Sequence, residues 1–214
     1  MSKQSGKPPV MRRFSDLGDD LDIRYATGFS EFDRVLGGGL LPGAVVLVGG
    51  DPGVGKSTLL QQVSARLPDD VQVCYASGEE SLRQIGQRAE RLGLTGDNLA
   101  LLADTSLDNV LRVATESRAS VVVIDSMQTM SVGDVASAAG SVSQLRESVS
   151  RIVSFAKQNE VAVFIVGHVT KDGSIAGPRV VEHMVDTVLY FENDPSSRFS
   201  LIRSVKNRFG ASGE

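Results

Sequence analysis

The stretch GGDPGVGKST, residues 49–58, follows the apolar run VVLV at 45–48 and leads into TLLQQVSARL, which has the pattern of an amphipathic helix. Residues 50–57 fit G-x-x-x-x-G-K-[ST], in which backbone N–H groups turn inward around phosphates. Because a buried strand and a helix flank the glycines, we predict a phosphate site here rather than an exposed glycine-rich turn. The predicted nucleotide-binding residues are Gly50, Asp51, Pro52, Gly53, Val54, Gly55, Lys56, Ser57 and Thr58.

Each part of this loop has a chemical task. Lys56 would neutralise the β- and γ-phosphate oxygens, and the Ser57 hydroxyl would complete the shell of a Mg²⁺ ion. The helix that follows adds the positive end of its dipole.

Composition and charge narrow the possible classes. The chain has 214 residues, 41% of them hydrophobic, and a net charge of −4. This fits one large domain, and DNA contact would have to come from a local basic patch. Cys74 is the only cysteine, so neither an internal disulfide nor a four-cysteine zinc site can form within this sequence. We find neither a membrane-length apolar stretch nor a secretory signal pattern, and therefore expect a cytoplasmic protein without membrane contact.

Apolar runs alternate with amphipathic segments from Tyr25 onward, which predicts an α/β fold with a parallel sheet and right-handed crossovers. Residues 1–24 read as a flexible lead-in and 25–214 as the core. The predicted strands are 45–48, 71–77, 99–102, 121–125 and 161–167, followed by an antiparallel hairpin of 185–191 and 198–205. The predicted helices are SEFDRVL with Ser30 as N-cap, 57–67, 80–92 with Leu82, Ile85, Ala89 and Leu92 inside, one from 107, and 140–159 with Val142, Leu145, Val149, Ile152 and Ala156 inside.

Two acidic positions follow buried strands. Asp125 ends VVVID and is our candidate for the second acid of the metal site, although a strand-end aspartate can also cap a turn. Glu79 and Glu80 follow the strand after the loop's helix, and one of them could orient the attacking water; a solvated helix start is the plainer interpretation. Since no NKxD motif is present, we expect ATP rather than GTP.

Taken together, the motifs give a more specific indication. The chain is similar to the RecA-like ATPase domain of the bacterial RadA (Sms) family of DNA repair proteins, over about residues 24–214. The stretches that carry this resemblance are ATGFSEFDRVLGGGLLPG, GGDPGVGKSTLLQQVS, YASGEES, VVVIDSMQT, GSVSQLRE, VGHVTKDGSIAGPRVVEHMVDTVLYFE and VKNRFG. It implies a P-loop NTPase that binds ATP and Mg²⁺ between subunits of a ring, of hexameric type, and acts on single-stranded and branched DNA in recombination, with a recombinase as a partner.

The resemblance also implies roles for individual residues. Glu79 or Glu80 would be the hydrolytic glutamate and His168 a γ-phosphate sensor. Lys206 and Arg208 of KNRFG would reach the ATP of the neighbouring subunit. The loops 131–140 and 170–179 would face DNA, and the predicted DNA phosphate contacts are Lys171 and Arg179. Without the resemblance, His168 would be an ordinary strand-end residue, the KNRFG cations an exposed pair, and both loops plain surface loops.

The chain departs from the family in two places. Family members carry an N-terminal four-cysteine zinc module and a C-terminal domain that resembles the Lon protease, and neither is found in this sequence. Two other functions therefore stay open. One is a nucleotide-dependent assembly module that holds DNA or partners with negligible turnover; the other is a clock-type ATPase that phosphorylates itself.

Overall fold

A single seven-stranded sheet organises the chain, with strand order β3-β2-β4-β5-β1-β6-β7. The computed structural model describes residues 23–168, 180–193 and 200–210. Strands β1 to β6 are parallel where they pair, and β7 runs antiparallel to β6. The prediction of a mostly parallel sheet that ends in an antiparallel pair is confirmed.

The described elements begin and end close to the predicted bounds. The strands are β1 Val45–Gly50, β2 Val73–Ser77, β3 Leu99–Ala103, β4 Val121–Asp125, β5 Ala162–His168, β6 Thr187–Asn193 and β7 Ser200–Asn207. The helices are α1 Ser30–Leu36, α2 Lys56–Arg66, α3 Leu82–Arg91, α4 Leu107–Glu116, α5 Val142–Asn159 and α6 Val180–Met184, and a 3₁₀ turn spans Met127–Thr129. None of these helices combines the length and apolar character needed to cross a membrane.

Helices cover both faces of the sheet, which explains why the central strands are apolar throughout. On one face, α4 and α5 pack against side chains such as Leu47 and Ile165. On the other, α1 and α2 cover Val48, Phe164 and their neighbours. A strand buried on both sides has no polar alternation, and this is the pattern that the sequence displays.

Three local predictions are wrong. Ser30 is the first residue of α1 rather than its N-cap; the cap position is Phe29, and no side chain caps the helix. Leu82 and Val142, predicted on inner faces, are 48% and 55% exposed. Both lie in the first turn of a helix, α3 or α5, and that turn extends beyond the sheet, so helical spacing alone does not bury them.

Candidate nucleotide-binding site

The predicted phosphate loop connects β1 to α2 at the carboxyl edge of the parallel strands. Gly50 ends β1 with φ 152°, and a Cβ there would lie 2.4 Å from the carbonyl oxygen of Phe191 on β6. Gly55 is the N-cap of α2 with φ 109°, and it supplies no side chain to cap the helix. The first N–H groups of α2 therefore have no side-chain cap, which suits a bound phosphate.

Lys56 turns back onto its own loop. Its Nζ donates hydrogen bonds to the carbonyl oxygens of Gly50 and Asp51, each at 2.7 Å, and the residue is 4% exposed. Burial lowers the pKa of Lys56, while the negative charges of Asp125, Asp51 and Glu79 oppose that shift. Because the ammonium group is largely removed from bulk water, its attraction to an anion is stronger than it would be on the surface.

Asp125 lies beside the loop, at the end of β4. Its Oδ2 accepts a hydrogen bond of 2.6 Å from the hydroxyl of Tyr75 on β2. Burial and the Asp125 carboxylate raise the pKa of Tyr75 well above its ordinary value, so the phenol stays protonated and keeps donating. The peptide bond that joins Asp125 to Ser126 is cis.

The residues at this edge fit a magnesium ion. The Ser57 hydroxyl and the Asp125 carboxylate are the hard oxygen donors that Mg²⁺ prefers. Within the described ranges, no group of three or more His, Cys, Asp or Glu side chains could hold a metal by itself. That absence agrees with Mg²⁺ chemistry, in which waters and substrate phosphates supply most ligands.

Glu79 is joined to two other elements of the site. Its Oε1 accepts a hydrogen bond of 2.8 Å from Nε2 of His168, at the end of β5, and another from the Ser126 hydroxyl. Burial alone would raise the pKa of Glu79, but the hydrogen bonds from Ser126 and His168, with the charge of Lys56, outweigh it and lower the pKa. The carboxylate therefore stays ionised close to the phosphate loop.

Glu80 has a different environment. Its Oε1 forms an ion pair with Arg88, which lies eight residues further along the chain on α3. The backbone N–H groups of both glutamates point to the Ser77 hydroxyl, at 3.3 and 3.0 Å, which fixes this turn. Gly78 makes the turn possible, because a Cβ there would lie 2.2 Å from Oγ1 of Thr129. Of the two acids, Glu79 is the one that contacts residues of the nucleotide site.

Lys206 and Arg208 lie at the other edge of the sheet. Lys206 pairs with Val188 on β6, whereas Gly50 of the phosphate loop pairs with Phe191, three residues or about 10 Å further along. Nζ of Lys206 donates to the carbonyl oxygens of Glu182, His183 and Val185 at the end of α6. Arg208 forms an ion pair of 3.2 Å with the buried Asp186. Neither cation shares the site of Lys56 within one chain.

The first predicted DNA loop, 131–140, is anchored by a residue that sequence reasoning missed. Gln144 on α5 is 2% exposed; its Oε1 accepts from the N–H of Val132, and its Nε2 donates to the carbonyls of Val132, Val135 and Ser137 at 2.9–3.3 Å. Arg151 of α5 also binds Asp134 in this loop. The other loop, 170–179, lies with Lys171 and Arg179 outside the described residues.

Tyr75 and Ser126 were missed as well. Both belong to predicted stretches, VQVCYAS and VVVIDS, but their spacing to Asp125 or Glu79 in the sequence carries no sign of contact. A polar tip on a strand that is otherwise apolar was the available signal for Tyr75.

Comparison with known proteins places this arrangement in a family. A family model described as an AAA domain matches residues 12–174, which is most of the chain. The chain belongs to this AAA domain family. Membership implies nucleotide binding at the P-loop, in agreement with the geometry of Gly50–Thr58.

Curated relatives of this AAA domain are DNA repair proteins. The chain is 51% identical over 211 residues to DNA repair protein RadA of Listeria monocytogenes, covering 98% of this chain and 46% of that protein. It is 52% identical over 210 residues to RadA of Pseudomonas aeruginosa, with the same coverage, and 49% identical over 204 residues to RadA of Escherichia coli, covering 95% and 44%. The chain spans less than half the length of these relatives, and the predicted resemblance to RadA proteins is confirmed.

Solved structures agree on the fold of this AAA domain. One solved structure, itself an isolated ATPase domain, matches with a TM-score of 0.75 at 13% identity, covering 93% of this chain and 89% of that one. The RadB recombinase matches with a TM-score of 0.67 at 20% identity, covering 88% and 92%. These likenesses confirm the predicted RecA-like α/β fold.

Proposed function

We propose that this chain is the ATP-hydrolysing core of a RadA-type DNA repair protein, with Glu79 as the residue that activates water. The observation that carries the proposal is the contact of Glu79 with His168 and Ser126 beside the phosphate loop. Three strand ends meet there, those of β1, β4 and β5, so the charges of Lys56, Asp125 and Glu79 surround one position.

The chemistry follows from these positions. Lys56 and the first N–H groups of α2 hold the β- and γ-phosphates of ATP. Glu79 accepts a proton from a water molecule while that oxygen bonds to the γ-phosphorus and the bond to the bridging oxygen breaks, which gives ADP and phosphate. When bound with the nucleotide, Mg²⁺ offsets the charge on the phosphate oxygens. His168 keeps the Glu79 carboxylate ionised and fixed in place.

We further propose that a second copy completes the site. A cation supplied by a neighbouring subunit would stabilise charge in the transition state, and Lys206 or Arg208 would supply it in a ring of about six subunits. Their location at the opposite sheet edge from the same chain's phosphate loop supports a role between subunits.

DNA is the proposed ligand of the assembled ring. The names of the RadA relatives point to repair, and the loop 131–140 leaves the sheet at the same edge as the nucleotide site. Repetition around a ring would multiply the few cations that each chain offers, Lys171 and Arg179 among them. Strand exchange or branch migration would then use ATP turnover to change the grip on DNA.

The test is steady-state ATP hydrolysis with and without single-stranded DNA, with Lys56→Ala as the blank. Glu79→Gln should lower kcat about 100-fold or more while nucleotide binding is retained. Glu80→Gln, the matched control at the adjacent position, should lower kcat much less. Equal losses in the two variants would contradict the assignment of Glu79.

The DNA part of the proposal has its own readout. Single-stranded DNA should raise the turnover of the assembled chain, and Lys171→Ala with Arg179→Ala should abolish that rise but keep the basal rate. If neither single-stranded nor branched DNA changes turnover in an assembled ring, the DNA-dependent motor is wrong. Nucleotide binding with negligible turnover in the unaltered chain would instead favour the assembly module.

A further inference from the structure

An apolar groove lies at the amino-terminal edge of the parallel strands, opposite the nucleotide site. Its volume is about 750 Å³, and it lies between the last turns of α4 and α5. The apolar side chains that line it include Tyr25, Leu41, Phe155 and Val161. No residue assigned to the nucleotide or DNA sites belongs to its lining, so the groove is a separate feature of the domain.

Two opposite charges stand at the rim of this groove. Arg118 follows α4 and Glu160 follows α5; both are exposed, and both hold left-handed backbone conformations, with φ 53° and 55°. Left-handed residues of this kind close the ends of helices, so the two side chains are held at defined positions. Neither makes an ion pair within the described part of the chain.

We propose that residues 10–17 of the same chain, VMRRFSDL, occupy this groove. Val10, Met11, Phe14 and Leu17 recur at the spacing of one helical face, which is a set of side chains suited to an apolar groove. Burial of large apolar side chains is favourable, so four of them on one face give the segment a reason to leave water.

The path of the chain leads to this place. Ile23, the first described residue, lines the groove itself and is 52% exposed. Residues 18–22 join it to Leu17, and a linker of this length spans at most about 20 Å. The segment therefore reaches the groove of its own chain without crossing the domain.

Charge and sequence similarity point the same way. Arg12 and Arg13 complement Glu160 on the rim, and the acidic residues Asp19 and Asp20 complement Arg118. The AAA domain match begins at residue 12, so the similarity to the family already includes most of the proposed segment. A segment that belongs to the domain in this sense needs a surface to pack against.

A tryptophan probe tests the proposal in the full chain, because the sequence contains no tryptophan. Phe14→Trp should give blue-shifted emission and quenching by acrylamide that is several-fold weaker than in Gln4→Trp, the matched control outside residues 10–17. Equal quenching at the two positions would overturn the proposal.

Variants of the groove identify the contact surface. In the Phe14→Trp background, Leu41→Glu should return the emission to that of an exposed tryptophan, whereas Leu82→Glu, on α3, should leave it unchanged. Thr115→Phe, at an exposed position of the lining, fills the groove from its solvent side and should have the effect of Leu41→Glu without a core substitution. A protected tryptophan that neither groove variant releases would overturn the proposal.

Dilution separates the same chain from a second copy. Docking within one chain predicts emission that does not change over a 100-fold range of protein concentration. Emission that shifts to the exposed value on dilution would place the segment on a second copy and contradict the proposal. Since none of these readouts depends on ATP turnover, the proposal stands or fails independently of the catalytic assignment.

Discussion

Glu79 and Glu80 are adjacent in the chain, yet tertiary contacts give them different chemistry. Glu79 accepts hydrogen bonds from Ser126 and His168, which hold its pKa below the ordinary value although burial works in the other direction. Glu80 pairs with Arg88. An ionised carboxylate beside the phosphates suits a general base, whereas a carboxylate committed to an arginine suits a structural role.

The first prediction concerns the pH dependence that these contacts set. A base with a lowered pKa stays ionised to low pH, so activity is lost only as pH falls through that lowered value. Ser126→Ala removes a hydrogen bond that favours the charged form, and it should raise the pKa of Glu79. The acid limb of the kcat profile should then move to higher pH, as measured by ATP hydrolysis across the acid range.

Ser117→Ala, at the end of α4, is the control and should leave the acid limb where it is. An acid limb that stays in place in Ser126→Ala, with the fold intact by circular dichroism, would show that Glu79 does not set it.

At the scale of elements, Gln144 ties the loop 131–140 to α5. One side chain satisfies four backbone groups of that loop, and it is buried while doing so. The loop thus has a fixed start and a fixed base next to the nucleotide site. Any nucleotide-dependent shift of the 3₁₀ turn after β4 would be passed directly to it.

The second prediction follows from that anchor. Gln144→Leu leaves the buried N–H of Val132 without a partner, which costs about 1–3 kcal/mol of stability. Basal ATP hydrolysis should persist, while stimulation by single-stranded DNA should fall and a protease that cuts after small residues should cleave the loop faster. Gln87→Leu, at an exposed glutamine of α3, should change none of these, and unchanged DNA stimulation in Gln144→Leu would refute the coupling.

The sequence predicted most elements for a physical reason. Strands β1, β4 and β5 are buried on both faces, so their apolar runs are unmistakable, and the glycines of the phosphate loop have few other uses between a strand and a helix. The predicted burial of Leu82 and Val142 was wrong because a helix can project past the sheet edge. The preference for Glu79 depends on His168, 89 residues away, and local patterns carry no record of such a contact.

On the scale of the whole molecule, the two ends of the sheet have different roles. The phosphate loop, Asp125 and Glu79 gather at the carboxyl edge of the parallel strands, while Lys206 and Arg208 lie near the amino edge. One chain therefore cannot bring both sets together at one nucleotide. A head-to-tail contact between copies joins such ends, and repetition of that contact closes a ring when the rotation allows.

The last prediction uses this division of labour. Lys56→Ala and Arg208→Ala should each abolish ATP hydrolysis, but a mixture should regain activity, because some interfaces combine Lys56 of one copy with Arg208 of the next. In a one-to-one mixture with random assembly, about a quarter of the interfaces are of this kind, so we expect about a quarter of the unaltered rate. Lys56→Ala mixed with Glu79→Gln is the matched control: both changes affect the site of a single copy, and no interface regains a complete set. Thermal unfolding of each variant checks that loss of the Arg208–Asp186 ion pair has not unfolded the chain. Restoration in the first mixture alone would place Arg208 in the neighbour's site, whereas activity of Arg208→Ala by itself would remove it from the mechanism.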